Sequence, residues 1–591
     1  MCGLCGEIRF DGSPASLTVV ENMTKKMTRR GPDATGTVMQ GRVCFGHRRL
    51  KILDLSEQSR QPMSDPYLGL DIVFNGCIYN YRELKTELEQ RGYRFFSTGD
   101  TEVILKAYHA WGNEFVKHLN GMFALAIHER DSGKVLLARD RLGIKPLYLD
   151  DRERVLRFAS SLPPLLGNEG VDTEINPVAL HHYLHWHAVV PAPHTILKGI
   201  TKLPPATLRE YRKNGTFKDT TYWQLNMVPE KTVHSITEQE WMECLLNQLR
   251  KAVKRRMVAD VPVGVLLSGG VDSSLLVGLL AEEGQEGLNT FSVGFEAAGG
   301  EKGDEFYYSD IIARHFGTDH HQIFVPSDNL LQTLPQTVSA MSEPMVSYDN
   351  VGFFLLSKEV ARHVKVVQSG QGADEVFGGY HWYRPLRSST DPVSDYCRAF
   401  FDRDQSEFAQ TVHDDFIHNN YSEEFVADFF ARPGADHPVA KALRLDTTIM
   451  LTDDPVKRVD NMTMAWSLEA RVPFLDHEFV EFAGTIPVDL KVRDKGKWIL
   501  KEAARRVIPA DVIDRPKGYF PVPALKHIEG PYLELVREVL TNDAAKSRKL
   551  YKQEYINKLL AAPKDHITPL RGSKLWQVAL LEMWLQIHGV S

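Results

Sequence analysis

Short apolar segments alternate with polar turns in the first part of the chain. Residues 42–46, 70–74, 122–127 and 135–138 have the composition of short strands, and turn residues separate them. Residues 81–88 carry apolar side chains at helical spacing, which predicts a helix after the second of these strands. Many short strands with a few helices predict an α+β sandwich of sheets between helices.

The second part of the chain follows a different pattern. Residues 238–258 have apolar side chains at helical spacing. Residues 261–267, 289–295 and 365–368 are short apolar runs, as expected for strands that are buried on both faces. Because such strands alternate with helices, we predict an α/β domain with a parallel sheet, whose ligands bind at the carboxyl ends of the strands.

A polar stretch without periodicity, residues 215–235, separates the two patterns and predicts a linker. We therefore expect a first domain over residues 2–214 and a second domain over residues 236–591. A chain of 591 residues is long enough for two domains with cores of their own.

Composition and charge exclude several classes of protein. The hydrophobic content of 43% and the charged content of 25% are typical of a soluble globular protein, and a formal net charge of −7 gives no reason to expect nucleic acid as a partner. No apolar run approaches the roughly 20 residues that span a bilayer, and the first residues do not form a secretory signal. Six cysteines without a regular framework fit a reducing compartment, so we expect a cytoplasmic protein without a membrane partner. The sequence leaves open whether the chain forms a homodimer.

Cys2 is a candidate nucleophile. Methionine before a small residue is normally removed, which would leave Cys2 at the N-terminus with its own α-amino group, of pKa about 7.7–8, as the base. Cys2 and Cys5 also form a CxxC pair, and a redox pair or a zinc site with Cys44 and Cys77 is an alternative that the lack of a second CxxC disfavours. A small buried thiol is a third alternative.

A glycine-rich turn, residues 268–274 (SGGVDSS), follows the first apolar run of the second part and precedes an apolar helix. Strand, glycine turn and helix together point backbone N–H groups and a helix N-terminus at an anion. Gly269 and Gly270 let the backbone approach a ligand closely, Ser273 can donate a hydrogen bond, and Asp272 can hold a metal ion on phosphates. The alternative is a tight turn with a serine N-cap.

A second such loop, residues 369–375 (SGQGADE), follows the strand predicted at residues 365–368. Because both loops lie at carboxyl ends of strands, we expect Asp272 and Asp374 to face one another and to hold Mg²⁺ on a triphosphate. The alternative for Asp374 is a charge that complements the dipole at a helix N-terminus.

These segments resemble two parts of one known family. The first-domain segments are similar to class II glutamine amidotransferases, and more narrowly to the glutaminase half of the asparagine synthetase family: Cys2, RGPD at 30–33, Arg49, FNGCIYN at 74–80, Asp100 and DRLGIKPLY at 140–148. SGGVDSS resembles the signature of N-type ATP pyrophosphatases. Three more segments continue the resemblance to the asparagine synthetase family: SGQGADEVFGGY at 369–380, MAWSLEARVPFLD at 464–476 and RPKGYFPVP at 515–523. The resemblance implies an Ntn-type αββα glutaminase sandwich followed by an α/β ATP-pyrophosphatase domain.

The resemblance also implies roles in the first domain. Cys2 would attack the side-chain amide of glutamine, while Asn75 and the N–H of Gly76 would form the oxyanion hole. Arg49 would bind the carboxylate of glutamine, and Asp100 would pair with its α-ammonium group. Taken singly, a surface ion pair for Arg49 and a helix N-cap for Asp100 are interpretations of equal weight.

Cys77 is a departure within the glutamine-binding set, because the family usually has a glutamate at this position. A glutamate would help to hold the ammonium group of glutamine. We therefore expect Asp100 to make that contact alone.

In the second domain the resemblance implies an ATP site with two catalytic residues beside it. Glu343 lies where the family has an acidic residue near the acyl acceptor, and Lys497 where it has a lysine that neutralises the polyphosphate. Asp272 and Asp374 would hold the Mg²⁺ that accompanies ATP. The residues expected to bind ATP are Leu267, Ser268, Gly269, Gly270, Asp272, Ser273, Val293, Ser369 and Gly370.

Two coupled reactions follow from the resemblance. Glutamine would be hydrolysed at Cys2, and ammonia would pass through the protein to the second domain. There MgATP would adenylate a small carboxylate acceptor, and ammonia would displace AMP to give an amide.

The acceptor is predicted from a narrower resemblance. The start MCGLCGEIRFDG, the FNGCIYN segment and the length of 591 residues are similar to the N-acetylglutaminylglutamine amidotransferases of bacterial osmolyte synthesis. We therefore expect this acylated dipeptide as the acceptor, with aspartate as the alternative. A protein of another class, a glutaminase or a regulatory ATP-binding protein without synthetase activity, is disfavoured because Asp272, Asp374, Glu343 and Lys497 are all present.

Overall fold

A computed structural model describes residues 2–228, 236–296, 306–515 and 528–590. Within these ranges, residues 327–329 are described by their backbone and not by their side chains. The segment RPKGYFPVP lies outside the described residues except for Arg515.

The first part of the chain forms two six-stranded antiparallel sheets that pack face to face. The strand orders are β10-β8-β9-β1-β3-β2 and β12-β11-β7-β6-β5-β4. The strands are β1 (Gly3–Arg9), β2 (Ala34–Gln40), β3 (Val43–Arg49), β4 (Met63–Asp65), β5 (Leu70–Ile78), β6 (Gly121–Glu129), β7 (Val135–Arg139), β8 (Tyr148–Arg152), β9 (Val155–Ala159), β10 (Thr201–Lys202), β11 (Thr207–Tyr211) and β12 (Phe217–Thr221). The α-helices of this part are α1 (Leu17–Lys26), α2 (Tyr81–Gln90), α3 (Asp100–Trp111), α4 (Phe115–His118), α5 (Pro163–Leu166) and α6 (Pro177–His185).

Alternation along the strands divides their side chains between two cores. In β1, Leu4 and Ile8 point between the sheets, whereas Cys5 points outward and packs beneath α1. In β5, Val73 points between the sheets, whereas Phe74 packs beneath α2 and α3. Helices therefore cover both outer faces, and the prediction of a sandwich of two sheets between helices is confirmed.

Two segments differ from the prediction. β5 continues to Ile78 instead of ending at Phe74, so Asn75 and Gly76 lie within a strand that pairs with β6 and not in a turn. β12 lies inside the stretch expected to be a linker and pairs with β11, and residues 229–235 of that stretch lie outside the described residues.

The second part of the chain is built on a five-stranded parallel sheet of order β15-β14-β13-β16-β17. Its strands are β13 (Val263–Leu266), β14 (Asn289–Phe295), β15 (Asp319–Val325), β16 (Val366–Gln368) and β17 (Glu469–Arg471). Its α-helices are α7 (Glu238–Arg255), α8 (Val271–Glu282), α9 (Phe306–Phe316), α10 (Ser327–Ala340), α11 (Asp349–Val360), α12 (Ala373–Phe377), α13 (Pro392–Phe400), α14 (Gln405–Thr411), α15 (Tyr421–Ala431), α16 (Pro438–Leu445), α17 (Lys457–Met464), α18 (His477–Thr485), α19 (Val488–Val492), α20 (Trp498–Ala504), α21 (Ala510–Ile513), α22 (Gly530–Thr541), α23 (Asp543–Arg548), α24 (Gln553–Ala561) and α25 (Lys574–Ile587).

The strand order decides where the two glycine loops meet. β13 lies between β14 and β16, so the loops that follow β13 and β16 leave the same edge of the sheet side by side. The predicted parallel sheet is confirmed. Two π-helical segments, Asp446–Met450 and Thr452–Val456, lead into α17. None of the helices in the described ranges is long and apolar enough to cross a bilayer.

Candidate functional sites

One pocket in the first part of the chain is lined by Cys2, Arg49, Gly76, Cys77 and Asp100. All but Gly76 are buried. The pocket therefore collects most of the residues that the sequence assigned to glutamine. Cys5 points into the core beneath α1 instead, so the CxxC pair does not converge on one site.

Asn75 and Gly76 present two donors beside Cys2. The backbone N–H of Cys2 donates to Asn75 Oδ1 at 3.0 Å, while the buried Asn75 Nδ2 has no hydrogen-bond partner among the described residues. The N–H groups of Phe74 and Ile78 leave the strand on the side away from β6, toward Gln61 and Asp100 respectively. The two-residue period of a strand points the Gly76 N–H the same way, into the pocket. A side chain at position 76 does not fit, because its Cβ would lie 2.1 Å from the carbonyl oxygen of Met122.

Arg49 is fixed by the loop that follows it. Its Nη1 donates to the carbonyl of Ser56 at 2.7 Å, and its Nη2 donates to the carbonyls of Leu53, at 3.4 Å, and Asp54. These three bonds use part of the five-donor guanidinium fork and hold its plane at the wall of the pocket. Arg49 is therefore buried and held by carbonyls, which excludes the surface ion pair considered from the sequence.

Asp100 is the first residue of α3, whose N-cap is Gly99, so Asp100 is not the helix cap. Its Oδ2 accepts a hydrogen bond from the N–H of Ile78 at 3.0 Å. Burial raises the pKa of Asp100 to about 6, since the bonds that it accepts offset only part of the cost of desolvating the charge.

Glu469 and Arg471 enter the same pocket from β17 of the parallel sheet. Arg471 donates to Glu469 at 2.7 Å and to the sulfur of Cys77 at 3.6 Å. Burial raises the pKa of the Cys77 thiol to about 12, so this side chain is neutral. The sequence analysis missed both second-domain residues, although they lie inside the segment MAWSLEARVPFLD.

The first glycine loop is a tight turn that its own serines hold in place. The N–H of Ser268 donates to Ser273 Oγ at 3.2 Å, and the N–H of Gly270 donates to Ser268 Oγ at 3.4 Å. Gly269 has φ +70°, and a Cβ there would lie 2.6 Å from the N atom of Ser309, so the turn requires glycine. The N-cap of α8 is Gly270, without a side-chain hydrogen bond, so the alternative of a serine N-cap is wrong.

The second loop touches the first. A Cβ on Gly370 would lie 3.1 Å from both the Cβ of Asp272 and the N atom of Ser273. Ser369 joins this loop to β17, because its N–H donates to the carbonyl of Arg471 at 2.8 Å. On the other side of the first loop, Leu267 donates to the carbonyl of Phe291 at 2.7 Å, which brings Val293 of β14 to the same edge of the sheet.

Lys497 connects the two loops. Its Nζ lies 2.7 Å from Asp272 Oδ2 and 2.9 Å from Asp374 Oδ1. Burial acts against the charged amine, but the two carboxylates outweigh it and raise the pKa of Lys497 above its usual range. Lys497 has φ +54°, a conformation that is uncommon outside glycine and that occurs more often at functional sites. The predicted approach of Asp272 and Asp374 is therefore present, with a lysine between them.

Glu343 lies in a separate buried cluster. Its Oε1 accepts a hydrogen bond from the Tyr148 hydroxyl at 3.1 Å and lies 3.2 Å from Lys202 Nζ and 3.6 Å from Lys457 Nζ. Burial alone would raise the pKa of Glu343, but the two lysines hold it below its ordinary value. Oε2 has no hydrogen-bond partner among the described residues. Tyr148 and Lys202 belong to the first part of the chain, and sequence analysis gave neither of them a role.

α17 forms another wall of this cluster. Lys457 faces Glu343, while the next residue, Arg458, pairs with Asp349 at 2.8 Å. Asn461 accepts a hydrogen bond from the N–H of Ser342, beside Glu343, at 2.6 Å. Asn461 of α17 is therefore held next to a predicted catalytic group.

Comparisons with known proteins agree with this arrangement. The family model described as asparagine synthase matches residues 245–586, and the model described as glutamine amidotransferase domain matches residues 1–223. Asparagine synthetase (glutamine-hydrolysing) 1 of Bacillus subtilis is 31% identical, over 100% of this chain and 97% of its own length. Asparagine synthetase (glutamine-hydrolysing) 3 of the same organism is 30% identical, over 88% of this chain and 87% of its own. Amidase chry2 of Gibberella zeae is 27% identical, over 92% of each chain.

Proposed function

Because the chain belongs to the asparagine synthase family and is a glutamine amidotransferase of the ligase type, we propose that it moves the amide nitrogen of glutamine onto a carboxylate with ATP. ATP is cleaved to AMP and pyrophosphate in this reaction. The first pocket releases ammonia, and the second site consumes it.

Three groups in the first pocket support the glutaminase step. The thiolate of Cys2 attacks the side-chain carbonyl carbon of glutamine, ammonia leaves, and water then hydrolyses the thioester to glutamate. Asn75 Nδ2 and the Gly76 N–H stabilise the oxyanion, which is consistent with the unpartnered, buried Nδ2. Burial raises the pKa of the Cys2 thiol, so its activation calls for a base such as the α-amino group freed by removal of Met1.

Recognition of glutamine is assigned to Arg49 and Asp100. The Arg49 fork binds the α-carboxylate, and the Asp100 carboxylate binds the α-ammonium group. Cys77 adds no charge, because burial keeps its thiol neutral. Arg471 beside it is paired with Glu469, so the positive charge that Arg471 brings to the pocket is balanced.

The observation that carries the synthetase step is the meeting of Asp272, Asp374 and Lys497 between two glycine loops. An oxygen of the acceptor carboxylate attacks the α-phosphorus of ATP, pyrophosphate leaves, and ammonia then displaces AMP from the acyl carbon. The loop N–H groups bind the phosphates, and Lys497 offsets the charge that develops on the leaving pyrophosphate. Glu343 Oε2 accepts the proton that the attacking ammonia loses.

The donor set fits Mg²⁺ that arrives with ATP. Mg²⁺ is usually bound through one or two carboxylates together with substrate phosphates, and Asp272 and Asp374 supply two carboxylates that face one point. Among the described residues no group of three or more His, Cys, Asp or Glu side chains could hold an ion by itself. The ion, when bound with the nucleotide, neutralises phosphate charge.

Two acceptors are candidates. The two Bacillus subtilis relatives, which cover 100% and 88% of this chain, are named asparagine synthetases; this favours aspartate, which we place first. The second is the terminal carboxylate of N-acetylglutaminylglutamine, favoured by the resemblance of the MCGLCGEIRFDG start and the FNGCIYN segment. A relative of comparable coverage that is named an amidase indicates that such names do not fix the acceptor across the family.

Pyrophosphate release tests the proposal directly. Purified protein is given MgATP and a nitrogen source, either glutamine or ammonium, with aspartate, with N-acetylglutaminylglutamine, or with no acceptor, and the products are identified by mass spectrometry. We expect release that depends on one acceptor and equals the amide formed. Hydrolysis of glutamine without pyrophosphate release on either acceptor would overturn the synthetase assignment.

A further inference from the structure

Two first-domain residues form one wall of the cluster around Glu343. Lys202 in β10 and Tyr148 in β8 are directly paired across these antiparallel strands, which form the edge of the first sheet. Both side chains end on the same carboxylate oxygen, Glu343 Oε1, at 3.2 Å and 3.1 Å. The edge of the glutaminase sheet is therefore in direct contact with the proposed proton acceptor of the synthetase site.

The ammonium group of Lys202 is held at three points. It donates to the carbonyl of Val190 at 2.6 Å and to Asp453 Oδ1 at 2.6 Å, and its third neighbour is Glu343. All three donors of the ammonium group thus have an acceptor, and the side chain is almost fully buried. Burying a lysine costs free energy even when it is paired, so a purely structural contact at this position would be better served by apolar residues.

We propose that Lys202 and Tyr148 are positioning residues of the synthetase site, which hold Glu343 by Oε1 and leave Oε2 as the oxygen that takes a proton. This inference rests on the function proposed above for Glu343. It predicts that synthesis depends on the first domain even when ammonia is supplied directly and Cys2 plays no part.

The charges around Glu343 give the direction of the effect. Lys202 from β10 and Lys457 from α17 face the carboxylate, Tyr148 donates to it, and Asp453 faces Lys202 from the π-helical segment before α17. The lysines lower the pKa of Glu343 against the effect of burial, and burial keeps the Tyr148 hydroxyl protonated as a donor by raising its pKa. Loss of the Lys202 charge therefore raises the pKa of Glu343 and leaves less of the carboxylate in its charged form near neutral pH.

The experiment measures ammonium-dependent pyrophosphate release against pH in the full chain. The variants are Lys202→Met, Lys202→Arg and Tyr148→Phe, with Lys198→Met as the control. Lys198 is an exposed lysine three residues before β10 and pairs with the exposed Glu174. In Lys202→Met the buried carboxylate of Asp453 loses its closest cation. The double variant Lys202→Met/Asp453→Asn removes this carboxylate charge as well, so a folding defect can be separated from a functional one.

We expect Lys202→Met, alone and with Asp453→Asn, to lower the rate of pyrophosphate release at neutral pH roughly ten- to a hundredfold. The acidic limb of the pH–rate profile should move to higher pH. Lys202→Arg should restore most of the rate, Tyr148→Phe should cause a smaller loss, and Lys198→Met should match the wild type. Glutamine hydrolysis at Cys2 should continue in all of them. An unchanged limb in the double variant, or equal losses in Lys202→Met and Lys202→Arg without a shift of the limb, would overturn the inference.

A second readout keeps this result separate from the proposed function. Difference infrared titration of the carboxyl band, with Glu343→Gln as the reference, measures protonation of Glu343 without turnover. If the wild type releases no pyrophosphate on any acceptor, the proposed function fails. The titration then still decides the inference, because a pKa of Glu343 that is equal in wild type and Lys202→Met would contradict it.

Discussion

Arg30 Nη1 donates to Asp460 Oδ2 at 3.0 Å, across the boundary between the two parts of the chain. The same guanidinium donates through Nε to the backbone carbonyl of Cys2 at 3.3 Å. One arginine therefore joins the proposed nucleophile to α17, the helix whose Lys457 faces Glu343. The two sites are connected by buried polar contacts as well as by the chain.

Removal of one partner from this ion pair should destabilise the protein. Both side chains are buried, so Arg30→Met leaves Asp460 with only Lys145, at 3.4 Å, as a cation. We expect a loss of roughly 3 kcal/mol in the free energy of unfolding, measured by urea denaturation. Arg60→Met, a change at an exposed arginine, is the control. A loss of less than about 1 kcal/mol would place the pair among weak surface bridges.

Cys2 and Cys77 line the same pocket and provide a matched pair of variants. Cys2→Ala should lower glutamine-dependent synthesis by about 10³-fold or more while ammonium-dependent synthesis continues, because only the nucleophile is lost. Cys77→Ala should keep both activities within a fewfold of the wild type, because the thiol is neutral at working pH. Both rates are measured as amide formed per enzyme. Loss of ammonium-dependent synthesis in Cys2→Ala would mean that Cys2 is structural.

Asn75→Ala tests the oxyanion hole. The variant removes the buried Nδ2 donor, and we expect glutaminase kcat to fall by about 10²–10³-fold with a small change in KM. Asn75 also accepts from the N–H of Cys2, so ammonium-dependent synthesis is measured in parallel to check that the chain remains folded. A change in KM alone would assign Asn75 to substrate binding instead.

The raised pKa of Asp100 predicts a pH dependence. The group must be a carboxylate to pair with the ammonium of glutamine, and it is charged only above its pKa of about 6 in the free protein. kcat/KM for glutamine should therefore fall as the pH drops through about 6, and ammonium-dependent synthesis should not share this limb. In Asp100→Asn the limb should be absent and KM high at every pH. A limb that persists in Asp100→Asn would point to another group.

Lys497→Met should abolish synthesis while glutamine hydrolysis continues. The change removes the cation between Asp272 and Asp374, and we expect pyrophosphate release to fall by at least about 10²-fold. Lys495, which is exposed and two residues away, provides the control variant Lys495→Met. Near-normal synthesis in Lys497→Met would mean that the lysine only pairs with Asp272 and Asp374 in the absence of nucleotide and takes no part in the reaction.

The local pattern of apolar and polar residues predicted those helices and strands whose secondary structure is set by their own residues. The strand expected at residues 289–295 is β14 with the same bounds, because a run buried on both faces is visible in composition. β5 was predicted too short, because Asn75 and Gly76 are typical of turns and only pairing with β6 keeps them extended. Tertiary pairing outweighed local preference at the two residues that the oxyanion hole needs.

Contacts between distant segments could not be predicted in the same way. Tyr148 and Glu343 are 195 positions apart, and periodicity shows which face of an element is buried but not which surface meets it. Glu469 and Arg471 illustrate the same limit, because β17 belongs to the parallel sheet of the second part of the chain and still lines the first pocket. The sequence did carry one signal for these residues. Tyr148 lies inside the segment DRLGIKPLY, and Glu469 and Arg471 lie inside the segment MAWSLEARVPFLD.

We propose that nitrogen moves from glutamine to a carboxylate within one chain. The most direct test supplies amide-¹⁵N glutamine, MgATP, aspartate and N-acetylglutaminylglutamine together, with unlabelled ammonium as the competing source of nitrogen. Mass spectrometry of the product then reads the source of its nitrogen and the ratio of AMP to amide. We expect ¹⁵N in the new amide of one acceptor and one AMP for each amide formed. Glutamate released with no labelled amide and no AMP would contradict the account.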